Sequence, residues 1–178
     1  MLNILWNYEM SFPTPNIKIY RYQLSANSIQ TDILKLLERI KDQYAKSPYV
    51  REFLFTIIGQ LDNNDKESQI ELLTDFVKDN MIYVRDPLGV EYVTSPVQHI
   101  KRILMHGYTT GDCDDHAMLL NTFLSAMGMK TRFVGVKLNS SRFNHVISCV
   151  KNPDWIDIDP CAKQTKQRIY EEQLTVVD

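Results

Sequence analysis

The chain has three cysteines and four histidines, and one cysteine stands in a setting that packing alone does not call for. Cys113 lies within Thr-Thr-Gly-Asp-Cys-Asp-Asp-His (109–116), where glycine and polar residues give way to apolar residues at helical spacing. A thiol in the first turn of a helix sits among unpaired backbone N–H groups and a partial positive charge, which favour the thiolate. Asp112 is expected at the N-cap, with Asp114 and Asp115 as the first-turn acids the dipole prefers. Their charges oppose a thiolate, so activation needs a base from elsewhere in the fold. The chemistry such an arrangement serves is acyl transfer through a cysteine nucleophile.

Among His99, His106, His116 and His145, the last opens Asn-His-Val-Ile-Ser-Cys-Val (144–150). Alternation there puts His145, Ile147 and Cys149 on one face of a strand and Val146, Ser148 and Val150 on the other. Trp-Ile-Asp-Ile-Asp-Pro (155–160) then supplies Asp157 and Asp159 on one face of the next strand. Either could accept the imidazole N–H and stabilise imidazolium beside thiolate. His116 is read as a polar neighbour of the helix start, and His99 and His106 as exposed residues or caps.

Two other readings use the same residues. A lone cysteine or histidine is more often structural than catalytic. A metal site could draw on Asp112, Cys113, Asp115 and His116, joined by Cys149 and Cys161. The paired spacing of structural zinc sites and the glycine-bearing loop of calcium sites are both missing, so no metal and no cofactor are expected.

The run Gly-Asp-Cys-Asp-Asp-His-Ala-Met-Leu-Leu (111–120), followed by His145-Val146 and by Trp155-x-x-x-Asp159-Pro160, resembles the core of the transglutaminase-like superfamily, relatives of papain-type cysteine peptidases. The preceding segment, Asn80 to Pro96, is similar to that of phage and prophage members. The resemblance covers about Glu71 to Pro160. It implies Cys113 as nucleophile, His145 as general base and Asp159 as the orienting acid, with Asp157 as the fallback. The backbone N–H of Cys113 is the expected oxyanion donor, and Tyr83 and Tyr108 are candidates for a second. The sequence departs from many relatives at Ile147, where an aromatic is common, and at Cys161, where threonine is common.

The elements that must hold these groups follow from periodicity. Apolar residues at helical spacing run from Ile29 to Tyr44, from Tyr49 to Leu61, from Ile70 to Met81 and from Val97 to about His106. The stripe Ala117, Leu120, Leu124 and Met127 carries the Cys113 helix to a stop at Gly128. Three strand-like runs follow, at 130–138, 144–151 and 155–160. Residues 62–68 and 82–96 read as loops. The expected organisation is an N-terminal arm or edge strand (1–24), a transglutaminase-like domain (25–165) and a C-terminal tail (166–178).

Composition bounds the partners. The 178 residues include 20 Lys+Arg and 22 Asp+Glu, a net charge of -2, which lacks the basic footprint of a nucleic-acid binder. No apolar run approaches the ~20 residues of a membrane span, and the N-terminus lacks a secretory pattern. The expectation is a protein cytoplasmic during synthesis and associated with a virion afterwards.

The expected fold is therefore α+β, with a helical first half and the Cys113 helix on an antiparallel sheet. The expected function is that of a phage or prophage cysteine hydrolase, a peptidase or amidase acting on a peptide or protein. The alternative is an idle transglutaminase-like module that binds phage structural proteins.

Overall fold

The Cys113 helix is buried on every side. In the computed structural model, which describes residues 29–59, 61–62, 64–87, 92–139, 142–162 and 173–175, this helix spans Cys113–Ala126, and every residue from Asp114 to Leu124 is buried. The expected apolar stripe is present, but it widens to the whole circumference, as befits a helix enclosed by other elements. Two of its polar side chains are matched by the turn and strand that follow: Asn121 Nδ2 donates to the Arg132 carbonyl at 3.1 Å, and Ser125 and Thr131 share a hydroxyl hydrogen bond of 2.7 Å. The helix stops where Gly128 takes φ of +82°, a conformation glycine adopts without a Cβ penalty.

Four helices enclose it. They are α1 (Ile29–Tyr44), α2 (Pro48–Ile58), α3 (Lys66–Asn80) and α4 (Pro96–His106), so the central helix is α5. α3 begins at an Asp65 cap that accepts from Ser68 N–H, and α4 at a Ser95 cap that accepts from Gln98 N–H. The loop read across 62–68 is thus shortened by the first turn of α3. Phe53, Phe76 and Phe123, from α2, α3 and α5, meet with ring centroids 5.8 to 6.1 Å apart and anchor the main core. Leu34 and Leu37 of α1 pack with Ala117, Met118 and Phe133 in a second cluster.

The sheet is α+β in the expected sense. β3 (Thr131–Val136), β4 (His145–Lys151) and β5 (Trp155–Ile158) pair antiparallel, and β6 (Gln173–Thr175) adds an edge strand beside β3. The order is β5-β4-β3-β6, with α5 and α1 packed on one face. Ser148 Oγ reaches the Ala117 carbonyl at 3.4 Å, so Val146, Ser148 and Val150 face α5. Ile147 and Cys149 cluster with Val134 and Val136 on the opposite face. The alternation along β4 is the expected one.

A second, two-stranded sheet is formed by β1 (Met81–Tyr83) and β2 (Thr109–Gly111), which run parallel. Both strands lie in segments read as loop or motif, and three residues are too short to show a two-residue period. The pair carries the chain straight into Cys113. The arm expected over 1–24 lies outside the described residues, as does most of the tail; 173–175 of that tail is β6. Among the described residues, no helix is long and apolar enough to cross a membrane.

Candidate active site

The site is built around the start of α5. Gly111 ends β2, Asp112 occupies the N-cap position with extended backbone, and Cys113 is the first helical residue, half-buried. The capping expected of the Asp112 side chain is absent. Its carboxylate makes no cap hydrogen bond, and its Oδ1 is buried without a hydrogen-bond partner among the described residues. What Asp112 contributes to the helix is its carbonyl, which accepts from the His116 backbone N–H at 3.2 Å and lies 2.7 Å from His116 Nδ1.

Asp115 does something the sequence reading missed. Its Oδ1 accepts from the Thr94 backbone N–H at 2.8 Å and lies 3.3 Å from His99 Nε2, while His99 Nδ1 lies 2.9 Å from Thr109 Oγ1. His99 is therefore fully buried, not the exposed residue or cap expected. A signal was available: His99 stands four residues before Ile103 and three after Pro96, on the buried face of α4. Gly111 makes the arrangement feasible, because a Cβ there would overlap the Asp115 side chain. This buried network ties the loop before α4, the start of β2 and the first turn of α5 into one unit.

His116 is buried as well. Desolvation lowers its basicity, with the Asp112 and Met81 carbonyls working the other way. Its ring lies 6.0 Å from that of Tyr83. Tyr83, on β1, is half-exposed, and its phenol is raised above the ordinary value by desolvation and then by negative charge at Cys113, Asp112 and Cys161. Those couplings put Tyr83 within electrostatic reach of the thiol. Tyr108, between α4 and β2, is half-exposed.

His145 opens β4, and its Nε2 lies 3.1 Å from Asp159 Oδ2, with both side chains less than a tenth exposed. Asp159 follows β5 directly, and its other oxygen accepts from the Cys161 backbone N–H at 2.9 Å, which fixes the carboxylate. Asp157, the fallback partner, is opposite Cys149 instead. There, burial first, and then a hydrogen bond with Asp157, push the Cys149 thiol up to about 12. Arg132 joins that cluster, stacked 4.3 Å above the Trp155 ring.

Cys113 and His145 line the same cavity, of about 160 Å³, between the start of α5, the start of β4 and α1. With Nε2 committed to Asp159, Nδ1 is the imidazole nitrogen available for proton exchange with a thiol. A larger hollow of about 570 Å³ lies at the other end of α5, against α2, and no cysteine or histidine lines it. The carboxylates of Asp112, Asp114 and Asp115 come within 4.8 Å of one another. Asp115 is already engaged by Thr94 and His99, and no histidine or cysteine completes a softer donor set with them.

No protein-family model matches the chain, and no curated protein matches it. Among solved structures, it is similar to a candidate cysteine protease of Cytophaga hutchinsonii, with a TM-score of 0.52 and 17% identity over 78% of this chain. A candidate protease of Parabacteroides distasonis follows, with a TM-score of 0.48 and 13% identity over 65% of this chain. The chain spans 43% of the length of the first and 24% of the second. The first likeness shows a shared fold.

Proposed function

We propose that this protein is a cysteine-dependent acyl-transfer hydrolase, a peptidase or amidase of phage or prophage origin, with Cys113 as nucleophile, His145 as general base and Asp159 as the acid that orients it. The observation that carries the reading is the opening of Cys113 and His145 onto one cavity while Asp159 holds the far nitrogen of the ring. The phage assignment rests on the resemblance of the Gly-Asp-Cys-Asp-Asp segment.

The steps follow from the groups present. His145 Nδ1 takes the Cys113 proton, and the resulting imidazolium is stabilised by Asp159. The thiolate attacks an amide carbonyl carbon, forming the C–S bond and placing negative charge on oxygen. The Cys113 N–H, in the first turn of α5, is the proposed donor for that oxyanion. Tyr83 is the better second donor of the two tyrosines, since its ring lies 6.0 Å from that of His116 in the first turn of α5. Collapse breaks the C–N bond as His145 returns its proton to the leaving amine. Water, deprotonated by His145, then attacks the thioester, and the acid and free thiol are released.

The test is the rate of alkylation by iodoacetamide across pH. Cys113 is expected to react well below pH 8 and to lose that reactivity in His145→Ala. Cys113→Ala is expected to abolish hydrolysis of peptide libraries. A Cys113 that titrates as an ordinary thiol, together with unchanged hydrolysis in Cys113→Ala, overturns the reading and leaves a binding module on the same fold.

A further inference from the structure

The short parallel pair brings a cation to the helix start. Its register sets Met81, Ile82 and Tyr83 level with Thr109, Thr110 and Gly111, and the Val84 N–H donates to the Gly111 carbonyl at 2.9 Å, so the two segments stay side by side past the last strand residue. Carried on by two residues, that register brings Arg85 alongside the start of α5 at Cys113. Tyr83 faces the same place, with its ring 6.0 Å from that of His116. Arg85 is exposed, its guanidinium is a hydrogen-bonding neighbour of the Tyr83 phenol, and among the described residues no carboxylate pairs with it.

The surroundings are otherwise negative. The carboxylates of Asp112, Asp114 and Asp115 come within 4.8 Å of one another, and Asp86 is raised by burial and then by the charges of Asp112 and Asp115. Those acids oppose negative charge developing on a substrate oxygen at Cys113. No Lys or Arg lines the cavity that Cys113 shares with His145, and Arg85 supplies a cation from β1 instead. The contact with Tyr83 has a fixed sense. A guanidinium has N–H donors and no acceptor, so Arg85 donates and the phenol oxygen accepts. The phenol hydrogen is left for another acceptor, and an oxygen that accepts from a cation donates its own hydrogen more strongly.

We propose that Arg85 is a positioning residue of the reaction: by donating to the Tyr83 oxygen it frees the phenol O–H for the substrate carbonyl oxygen and strengthens it as an oxyanion donor against the acids at the helix start. The proposal rests on the hydrolase reading and supplies the cation that reading lacks. Arg85 itself need not touch the substrate; its charge acts through the phenol.

Turnover of p-nitrophenyl acetate tests it, because this activated ester acylates a nucleophilic thiol without a side-chain requirement; the rate of Cys113→Ala is subtracted. Tyr83→Phe is expected to lower kcat about a hundredfold and Arg85→Gln about tenfold, each with KM within about twofold. Arg85→Lys keeps a donating cation and is expected to return kcat to within about threefold of the wild type. In the Tyr83→Phe background, Arg85→Gln is expected to cost less than about twofold more, because the route through the phenol is already gone. Thermal midpoints confirm that each variant is folded. Independently of turnover, 13C NMR of ring-labelled tyrosine is expected to show Tyr83 titrating at higher pH in Arg85→Gln, since the guanidinium favours the ionised phenol. An unchanged kcat in Arg85→Gln, a loss carried by KM, an undiminished loss in the Tyr83→Phe background or a Tyr83 titration indifferent to Arg85 overturns the proposal and leaves the hydrolase reading standing. Turnover that persists in full in Cys113→Ala overturns the hydrolase reading itself, and the proposal with it.

Discussion

His145 Nε2 lies 3.1 Å from Asp159 Oδ2, whereas Asp157, two residues earlier and on the same strand face, is turned to Cys149. The two carboxylates therefore separate by position along β4. Asp159→Ala is expected to lower kcat/KM for a peptide amide about a hundredfold through kcat, by releasing the imidazole from its orientation. Asp157→Ala is expected to leave kcat within about threefold. Steady-state kinetics of the two variants decide the matter, and equal losses would move the orienting role away from Asp159.

The thiols should differ sharply in reactivity. Cys149 is fully buried with its thiol pushed up to about 12, so it should stay unmodified by iodoacetamide at pH 8.5 in the folded protein and label only in denaturant. Its raised folded value also sets the direction of an alkaline effect. In the unfolded chain the thiol ionises near its ordinary ~8.5, so stability contributed by burying the neutral form is present below that pH and declines as pH rises toward 12. Urea midpoints at pH 8 and pH 10 should fall more steeply for the wild type than for Cys149→Ala.

His116 gives the opposite slope. Burial lowers its folded pKa beneath the ordinary ~6.5, so the unfolded chain binds the extra proton first as the solution is acidified. Stability is complete above pH 6.5 and declines as pH falls toward the folded value. His116→Gln keeps a donor for the Asp112 carbonyl and does not titrate. Its urea midpoint is expected to drop less between pH 7.5 and pH 5 than that of the wild type.

The network behind the helix start should be costly to break. His99→Leu removes one member of a pair whose side chains are 0% and 4% exposed and leaves Asp115 with only the Thr94 N–H, at an expected cost of about 3 kcal/mol. Gly111→Ala drives a Cβ into the Asp115 side chain, with an expected cost of about 1–3 kcal/mol. Chemical denaturation measures both, and a loss under 0.5 kcal/mol in each would mean the network is not holding the helix start.

Much of the frame was legible because its signals are local. Long apolar periods marked α1 to α5, alternation marked β3 to β5, and the glycines at 107 and 128 both end helices in the left-handed region. The candidate trio could be assembled because each member sits at the edge of an element that periodicity finds. What escaped depends on contacts between distant segments. β1 and β2 are three residues each and exist through their pairing with one another. The partners of His99, Thr109 and Asp115, stand 10 and 16 positions away, and no local pattern states that they meet. Asp112 stands at the N-cap as its type suggested, but its carboxylate makes no cap hydrogen bond and its carbonyl serves the helix instead.

The enclosure of α5 from Asp114 to Leu124 has a mechanical meaning. Cys113 is mounted on the end of a rod gripped along its length by four helices, a sheet and a buried carboxylate–imidazole tie. In such a molecule the thiol is the fixed point. Adjustment to a substrate falls to the parts around it: the first turn of α1, the approach to β4 at Phe143 and Asn144, and the exposed side chains of β1. Amide hydrogen exchange should be slowest along α5 and quickest along those margins, so that the walls around the thiol yield before the thiol itself moves.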